Sequence, residues 1–269
     1  MKKKNAKKHS NSNNKKEPLF CSLIIPDAHF PFVDRKAWEL MLKVGRSQKV
    51  DELIVLGDMA DCYAINSHGP KHPQIAETLK DEVDSVNAAL DQLDKLFPKA
   101  KKKFLIGNHS FRLERFLQNK CPELFGFIDI ETLFKFNSRL NWTVIAYGPH
   151  QKTRVGYSKL WAKHEPPASN PERSVTRAMC NVIAGHNHRL TEAHTTNMEG
   201  EEFICLTAGF LGNKYHPVFN YLKGHAQWQL GFALVWSMKG TKQFWHQLVH
   251  IKDDYSCVVG GKMYKYEKS

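Results

Sequence analysis

Five short stretches place metal-capable side chains directly after apolar runs. They are Asp27-Ala28-His29 after residues 19–25, Gly57-Asp58-Met59-Ala60-Asp61 after 53–56, and Gly107-Asn108-His109 after 104–106. His164 ends the run 153–163, and Gly185-His186-Asn187-His188 follows 181–184. One such residue alone reads as a turn former or a surface group. Five in succession, each at the carboxyl end of a predicted strand, occupy the place where open α/β sheets bind ligands. Carboxylates, an amide oxygen and imidazoles suit Mn²⁺, Fe or Zn²⁺ better than Ca²⁺. The set exceeds what one ion needs. Two ions sharing a carboxylate is the simpler solution, and such pairs serve phosphate-ester displacement.

The elements that would position these residues follow from periodicity. Residues 19–25, 53–56 and 104–106 are short apolar runs, each stopped by Pro or Gly, and read as buried strands. Between them, Asp34 to Gln48 carries Ala37, Leu40, Met41 and Val44 on one helical face. Gln74 to Phe97 carries a single stripe from Ile75 to Phe97, and Pro98 closes it. A short helix is predicted from Phe111 to Asn119. This alternation is the pattern of a parallel α/β sheet. Further strands are predicted at 142–147, 153–163, 181–184, 191–197 and 202–207. A helix begins at Pro171 behind the cap Asn170. A hairpin of 230–238 and 242–251 ends the chain. One domain with two sheets is expected over 18–269, behind a basic tail at 1–17 that is expected to be disordered.

The ordered set D-x-H, G-D-x-x-D, G-N-H, H, G-H-x-H resembles the calcineurin-like metallophosphoesterase superfamily, and the DNA-repair exonuclease and phosphodiesterase branch in particular. It spans Asp27 to His188. The resemblance implies an α/β fold: a two-sheet β-sandwich flanked by helices. It implies that Asp27, His29, Asp58 and His188 hold one metal, and that Asp58, Asn108, His164 and His186 hold the other, with Asp58 bridging. His109 would protonate the leaving oxygen, and Asp61 would orient it. Arg112 stands where phosphoprotein phosphatases place a phosphate-binding arginine. Three departures weigh against a protein serine/threonine phosphatase: Ser110 replaces the usual acid, no arginine follows Asp61, and Lys163 replaces a glycine before His164.

The expected reaction is hydrolysis of a phosphate ester by in-line attack of metal-bound hydroxide. The cofactors are two divalent transition-metal ions, Mn²⁺ first, with Fe, Zn²⁺ or Ni²⁺ as alternatives. Two divalent ions, two carboxylates and a hydroxide leave one positive charge, which a diester monoanion neutralises. This favours a phosphodiester of nucleic acid or nucleotide. The alternative is a phosphomonoesterase acting on nucleotides or phosphoproteins, and a non-catalytic scaffold is a third reading. DNA or RNA is the expected partner.

Composition sets the outer limits. The chain has 269 residues, 42% of them hydrophobic, which is ample for a core. No apolar run approaches the ~18 residues of a membrane span, and no secretory signal is expected. Six scattered cysteines read as reduced thiols, so a cytoplasmic location is expected. The net charge is +12, and seven lysines without an acid fall within residues 1–16. That tail reads equally as a nucleic-acid arm or a solubilising segment. His68 and His72 read as surface residues. Lys214, Tyr215, His216, Phe219, Tyr221, Lys223 and His225 mix basic and aromatic groups. They read first as an ordinary packed loop and second as a base-stacking surface.

Overall fold

The computed structural model describes residues 19–66, 75–219 and 227–268. The basic tail, His68, His72, Tyr221, Lys223 and His225 lie outside the described residues. The first half runs β1 (Phe20–Ile25), α1 (Arg35–Ser47), β2 (Glu52–Val55), α2 (Leu79–Leu96), β3 (Lys101–Leu105), α3 (Arg112–Lys120), α4 (Ile130–Leu133) and β4 (Trp142–Ile145). The second half runs β5 (Thr153–Arg154), β6 (Trp161–Lys163), α5 (Pro171–Ala178), β7 (Val182–Ala184), β8 (Leu190–Thr196), β9 (Glu202–Ala208), β10 (Gly231–Ser237) and β11 (Phe244–His250). The hairpin β12 (Ser256–Val259) and β13 (Lys262–Lys265) follows.

Six strands form one sheet in the order β11-β10-β1-β2-β3-β4, and five form another in the order β5-β6-β7-β9-β8. Strands β1 to β4 are parallel, as the alternation of runs and helices predicts. Their side chains alternate between two cores. Leu23, Ile25, Leu53, Val55 and Phe104 pack with Leu40, Val44 and Leu90 of α1 and α2. Ile24, Ile54 and Leu105 point the other way, onto Ala162, Ile183 and Leu206 of the second sheet. Burial on both faces explains why these strands read as continuous apolar runs rather than alternating ones. Helix α5 covers the far face of the second sheet through Val175, against Val182, Ala184 and Cys205. The architecture is therefore a two-sheet sandwich flanked by helices.

Local chemistry sets the helix starts. The Asp34 carboxylate accepts from the amides of Lys36 and Ala37, both at 3.1 Å, and so opens α1. Thr78 and Asp81 form a reciprocal capping box, so α2 starts at Leu79 and not near Gln74. Asn170 caps α5 as expected. Two predicted features differ. Residues 153–163 are not one strand, because the chain turns at Gly156 (φ +51°) between β5 and β6. The β12–β13 hairpin was not anticipated, although its turn pair Gly260-Gly261, both at positive φ, is a strong hairpin signal. Among the described residues no helix is long and apolar enough to cross a membrane. All six cysteines are unpaired, and Cys21, Cys62, Cys205 and Cys257 are buried.

Candidate metal centre

The five sequence blocks follow the carboxyl ends of β1, β2, β3, β6 and β7 and meet at one rim of the sandwich. Three groups of side chains there could hold a metal ion: Asp27, His29 and His188; His29, Asp58 and His109; and Asp58, His164 and His186. Within each group the ligand atoms lie within 4.8 Å of one another. Asn108 joins the third group, its Oδ1 lying 2.8 Å from His164 Nε2 and 2.8 Å from His186 Nδ1. All seven residues predicted as ligands are thus brought together. Asp27, His29 and His164 are fully buried, Asp58 and His188 nearly so, and His186 is exposed.

Hydrogen bonds fix which ring nitrogen faces inward. His29 Nδ1 donates to Asp61 Oδ2 at 2.8 Å, which leaves Nε2 facing His188 Nε2 at 3.2 Å. His164 Nδ1 donates to the Leu56 carbonyl at 2.9 Å, which turns Nε2 toward Asn108 Oδ1 and, at 3.3 Å, Asp58 Oδ2. Partners of this kind set the tautomer of a metal-binding imidazole. The consequence is a concentration of lone pairs. Two Nε2 atoms face each other, and an amide oxygen faces two imidazoles. A cation between them satisfies all of these atoms at once, so the donor set fits a pair of divalent ions.

Backbone strain marks the same place. His29, Asp58, His186 and His188 adopt φ of +50°, +42°, +67° and +58°. Non-glycine residues enter this region at a cost of order 1–3 kcal/mol each, and they cluster at functional sites. The motif glycines have a steric reason. A Cβ on Gly107 would lie 2.1 Å from Asp58 Oδ1 and 2.3 Å from its amide nitrogen. A Cβ on Gly57, itself at φ +116°, would meet His164 Nδ1 at 2.4 Å. Gly107→Ala is therefore expected to displace the Asp58 carboxylate, lower metal content and cost ~10²-fold or more in turnover, as a misplacement of about 1 Å can. Metal analysis and turnover on one sample check this. Wild-type values for both would show that the close approach is unimportant.

Asp61, His109 and Arg112 form a second layer beside Asp58. His109 donates its amide to Asp58 Oδ1 at 2.9 Å. Its Nδ1 lies 3.1 Å from the Asp61 carbonyl and 3.3 Å from Asp61 Oδ2. Arg112 donates to the Asp61 carbonyl at 3.0 Å, and its other amino group lies 3.1 Å from His109 Nε2. The Asp61 carboxylate thus stands closer to His29 than to His109, so it steadies a predicted ligand as well as the predicted acid.

Charge is finely divided here. Burial alone would raise the Asp58 carboxyl, but His164 and His109 hold it well below the usual range. Burial likewise opposes ionisation of Asp61, and His109 and His29 outweigh it, so its carboxyl is also lowered. Burial pushes Asp27 up. His164 loses basicity to burial but regains more from Asp58, reaching about 9. To act as a ligand it must give up that proton. Burial and His29 drive His188 well down, so it is neutral. His109 is raised, because Asp58 and Asp61 more than offset its burial.

Several contributors lie outside the five motif blocks. Gln151, buried far from any motif, accepts the His164 amide at 3.0 Å and donates to the Ile106 carbonyl at 2.8 Å. It clamps the third and fourth blocks together. His188 Nδ1 has no hydrogen-bond partner among the described residues. Its ring is instead stacked on Phe210 at 4.4 Å and met edge-on by Trp228 at 4.3 Å. Phe219 completes this aromatic wall, 5.5 Å from His29. Of the described part of the basic–aromatic loop, Phe219 packs behind the site and His216 lies against Phe32, whereas Tyr215 is exposed with Lys214 over its ring. Tyr147 donates to Glu165 at 2.5 Å and lies against Phe111.

No protein-family model matches the chain, and no curated protein matches it. Among solved structures it is similar to vacuolar protein sorting 29 from Cryptosporidium parvum, at 14% identity over 91% of this chain and 94% of that one, with a TM-score of 0.44. It is similar to Vps29 from Chaetomium thermophilum at 13% identity over 92% and 100%, with a TM-score of 0.44. Yfce, a phosphoesterase from E. coli, is similar at 15% identity over 85% and 99%, with a TM-score of 0.40.

Proposed function

We propose that this chain is a dinuclear metal-dependent phosphoesterase of the calcineurin-like type, and that its substrate is a phosphodiester of nucleic acid or nucleotide. The observation that carries the reading is the convergence of six predicted ligands into three overlapping groups, two of them containing Asp58, with Asn108 Oδ1 2.8 Å from His164 and from His186 and the inward nitrogens of His29 and His164 already selected. Asp27, His29, Asp58 and His188 would hold one ion, and Asp58, Asn108, His164 and His186 the other. Such ions supply Lewis-acid stabilisation of phosphoryl charge and a hydroxide at neutral pH. The rest falls to the chain. His109, whose basicity Asp58 and Asp61 raise against its burial, would donate a proton to the leaving oxygen. Arg112 sets a second cationic donor 3.1 Å from His109 Nε2. Two donors aimed at one spot suit an anionic phosphoryl oxygen. Mn²⁺ is our first choice of metal, the DNA-repair exonuclease branch our choice within the superfamily, and the cytoplasm our choice of location.

The test is a metal-supplemented comparison of a bis-aryl and a mono-aryl phosphate, with metal counted on the same sample. Two ions per chain, hydrolysis of the bis-aryl ester and abolition by chelation are expected. One ion or none under saturating Mn²⁺ would overturn the dinuclear reading. Turnover of the mono-aryl ester alone would favour the phosphomonoesterase alternative.

A further inference from the structure

Helix α3 begins three residues after His109 and carries Arg112, Arg115 and Asn119 at spacings of three and four, which is one helical face. Among the described residues that face is not packed away, and Arg115 and Asn119 are exposed. With Phe116 and Lys120, and with residues 65–66 opposite, it lines a groove of about 150 Å³. Arg112 belongs to both places. It lines the groove, and it reaches back to Asp61 and His109. Arg112 therefore links the groove to the candidate phosphoryl position.

Its chemistry is one-sided. Among the described residues its lining holds three cations, two amides and no carboxylate. Arg115 lies over the Phe111 ring at 5.9 Å and, like Lys120, makes no ion pair among the described residues. Arg112 is paired with Asp61 at 3.4 Å, whereas Arg115 and Lys120 have no counter-charge among the described residues, and an anion in the groove would supply one. Phe116 offers an apolar ring between them, as single-strand sites do between their backbone-tracking cations. From Arg112 to Asn119 the helix rises about 10 Å, long enough to meet more than one phosphate of a strand.

Resting on the phosphodiesterase reading, we propose that the α3 groove holds the phosphates flanking the scissile one, so that the substrate is a nucleic-acid strand. Inorganic tripolyphosphate shares the chemistry of successive phosphates, so it serves as the rival ligand.

The experiment measures binding of a labelled oligothymidylate to the full chain in excess chelator, where hydrolysis plays no part. Arg115→Gln and Lys120→Gln are each expected to weaken binding and to flatten the log–log salt dependence by about 0.7, the value for one lost phosphate contact on a single strand. Lys99→Gln, an exposed cation that precedes β3 at the opposite end of the sheet, is expected to leave the slope unchanged. Unchanged slopes in both groove variants, or equal loss in the Lys99 variant, would overturn the proposal. So would tripolyphosphate competing as well as the unlabelled strand. Because binding is read without metal, hydrolysis of a bis-aryl phosphate separately reports whether the phosphoesterase reading itself stands.

Discussion

Asp58→Ala is expected to empty both metal positions and to cut kcat/KM by at least ~10³-fold, which corresponds to about 4 kcal/mol of lost transition-state stabilisation. Asp58 belongs to two of the three candidate metal groups, whereas Asp27 belongs to one. Its Oδ2 lies 3.3 Å from His164 Nε2, and its Oδ1 accepts the His109 amide at 2.9 Å. Its loss therefore frees ligands of both ions and releases the turn that carries the proposed acid. Asp27 also does double service, because both its oxygens accept the His186 amide, at 2.9 and 3.0 Å. Even so, its group contains no ligand of the second ion beyond that tether. Asp27→Ala is expected to lose one ion and to retain the other. Asp58→Asn, which keeps the shape and one acceptor oxygen, guards against simple misfolding. The measurement is metal content and kcat/KM on each purified variant. Equal metal loss in the Asp27 and Asp58 variants would remove the bridging assignment, as would near-normal metal in Asp58→Ala.

The unequal legibility of this site has a physical cause. Each ligand ends a buried strand, and a buried parallel strand must be an apolar run closed by a sharp turn. The strand signal and the ligand signal therefore fall side by side in the chain, as Leu53 to Asp58 and Phe104 to His109 show. Gly57 and Gly107 were visible as turn residues, yet their reason, a carboxylate or an imidazole filling the space of a missing Cβ, belongs to the folded chain. Gln151, Phe210 and Trp228 were not legible, and Phe219 stood out only as part of a basic–aromatic loop and not as a neighbour of His29. The first three act across 13 residues to His164 and across 22 or more to His188, and nothing in their neighbours' spacing points to a site. The closeness of Asp61 to His29 was also hidden, because a motif fixes order along the chain and not which of two imidazoles a carboxylate meets. The groove on α3 lies between these extremes. Arg112 was legible as a phosphate-site residue, but that Arg115 and Asn119 share an open face with it among the described residues depends on how α3 packs.

His109→Asn is expected to keep both ions and to lower turnover in a way that depends on the leaving group. General acid catalysis contributes ~10²- to 10⁴-fold where a poor leaving group needs the proton. A nitrophenolate needs little help, so the loss on a bis-nitrophenyl ester is expected to be small. On an alkyl diester or DNA it is expected to approach the full range. The structure makes the comparison demanding, because His109 also falls within 4.8 Å of His29 and Asp58 in a candidate metal group. A ligand role predicts metal loss and an equal rate defect on every substrate. The observed surroundings favour the acid. Nδ1 is turned to the Asp61 carbonyl and carboxylate, while Nε2 faces Arg112 at 3.1 Å and stands 4.0 Å from Asp58 Oδ2. Asp61→Asn separates the two layers further. Because Asp61 Oδ2 is 2.8 Å from His29 Nδ1, this variant is expected to weaken metal binding by roughly 10- to 100-fold, as loss of an imidazole's outer partner does, and to show part of the leaving-group effect. Metal analysis and the rate ratio between alkyl and aryl diesters, measured together on both variants, decide the matter. Metal depletion in His109→Asn would move His109 into the ligand shell, and a ratio equal to that of the unmodified protein would remove its role as the acid.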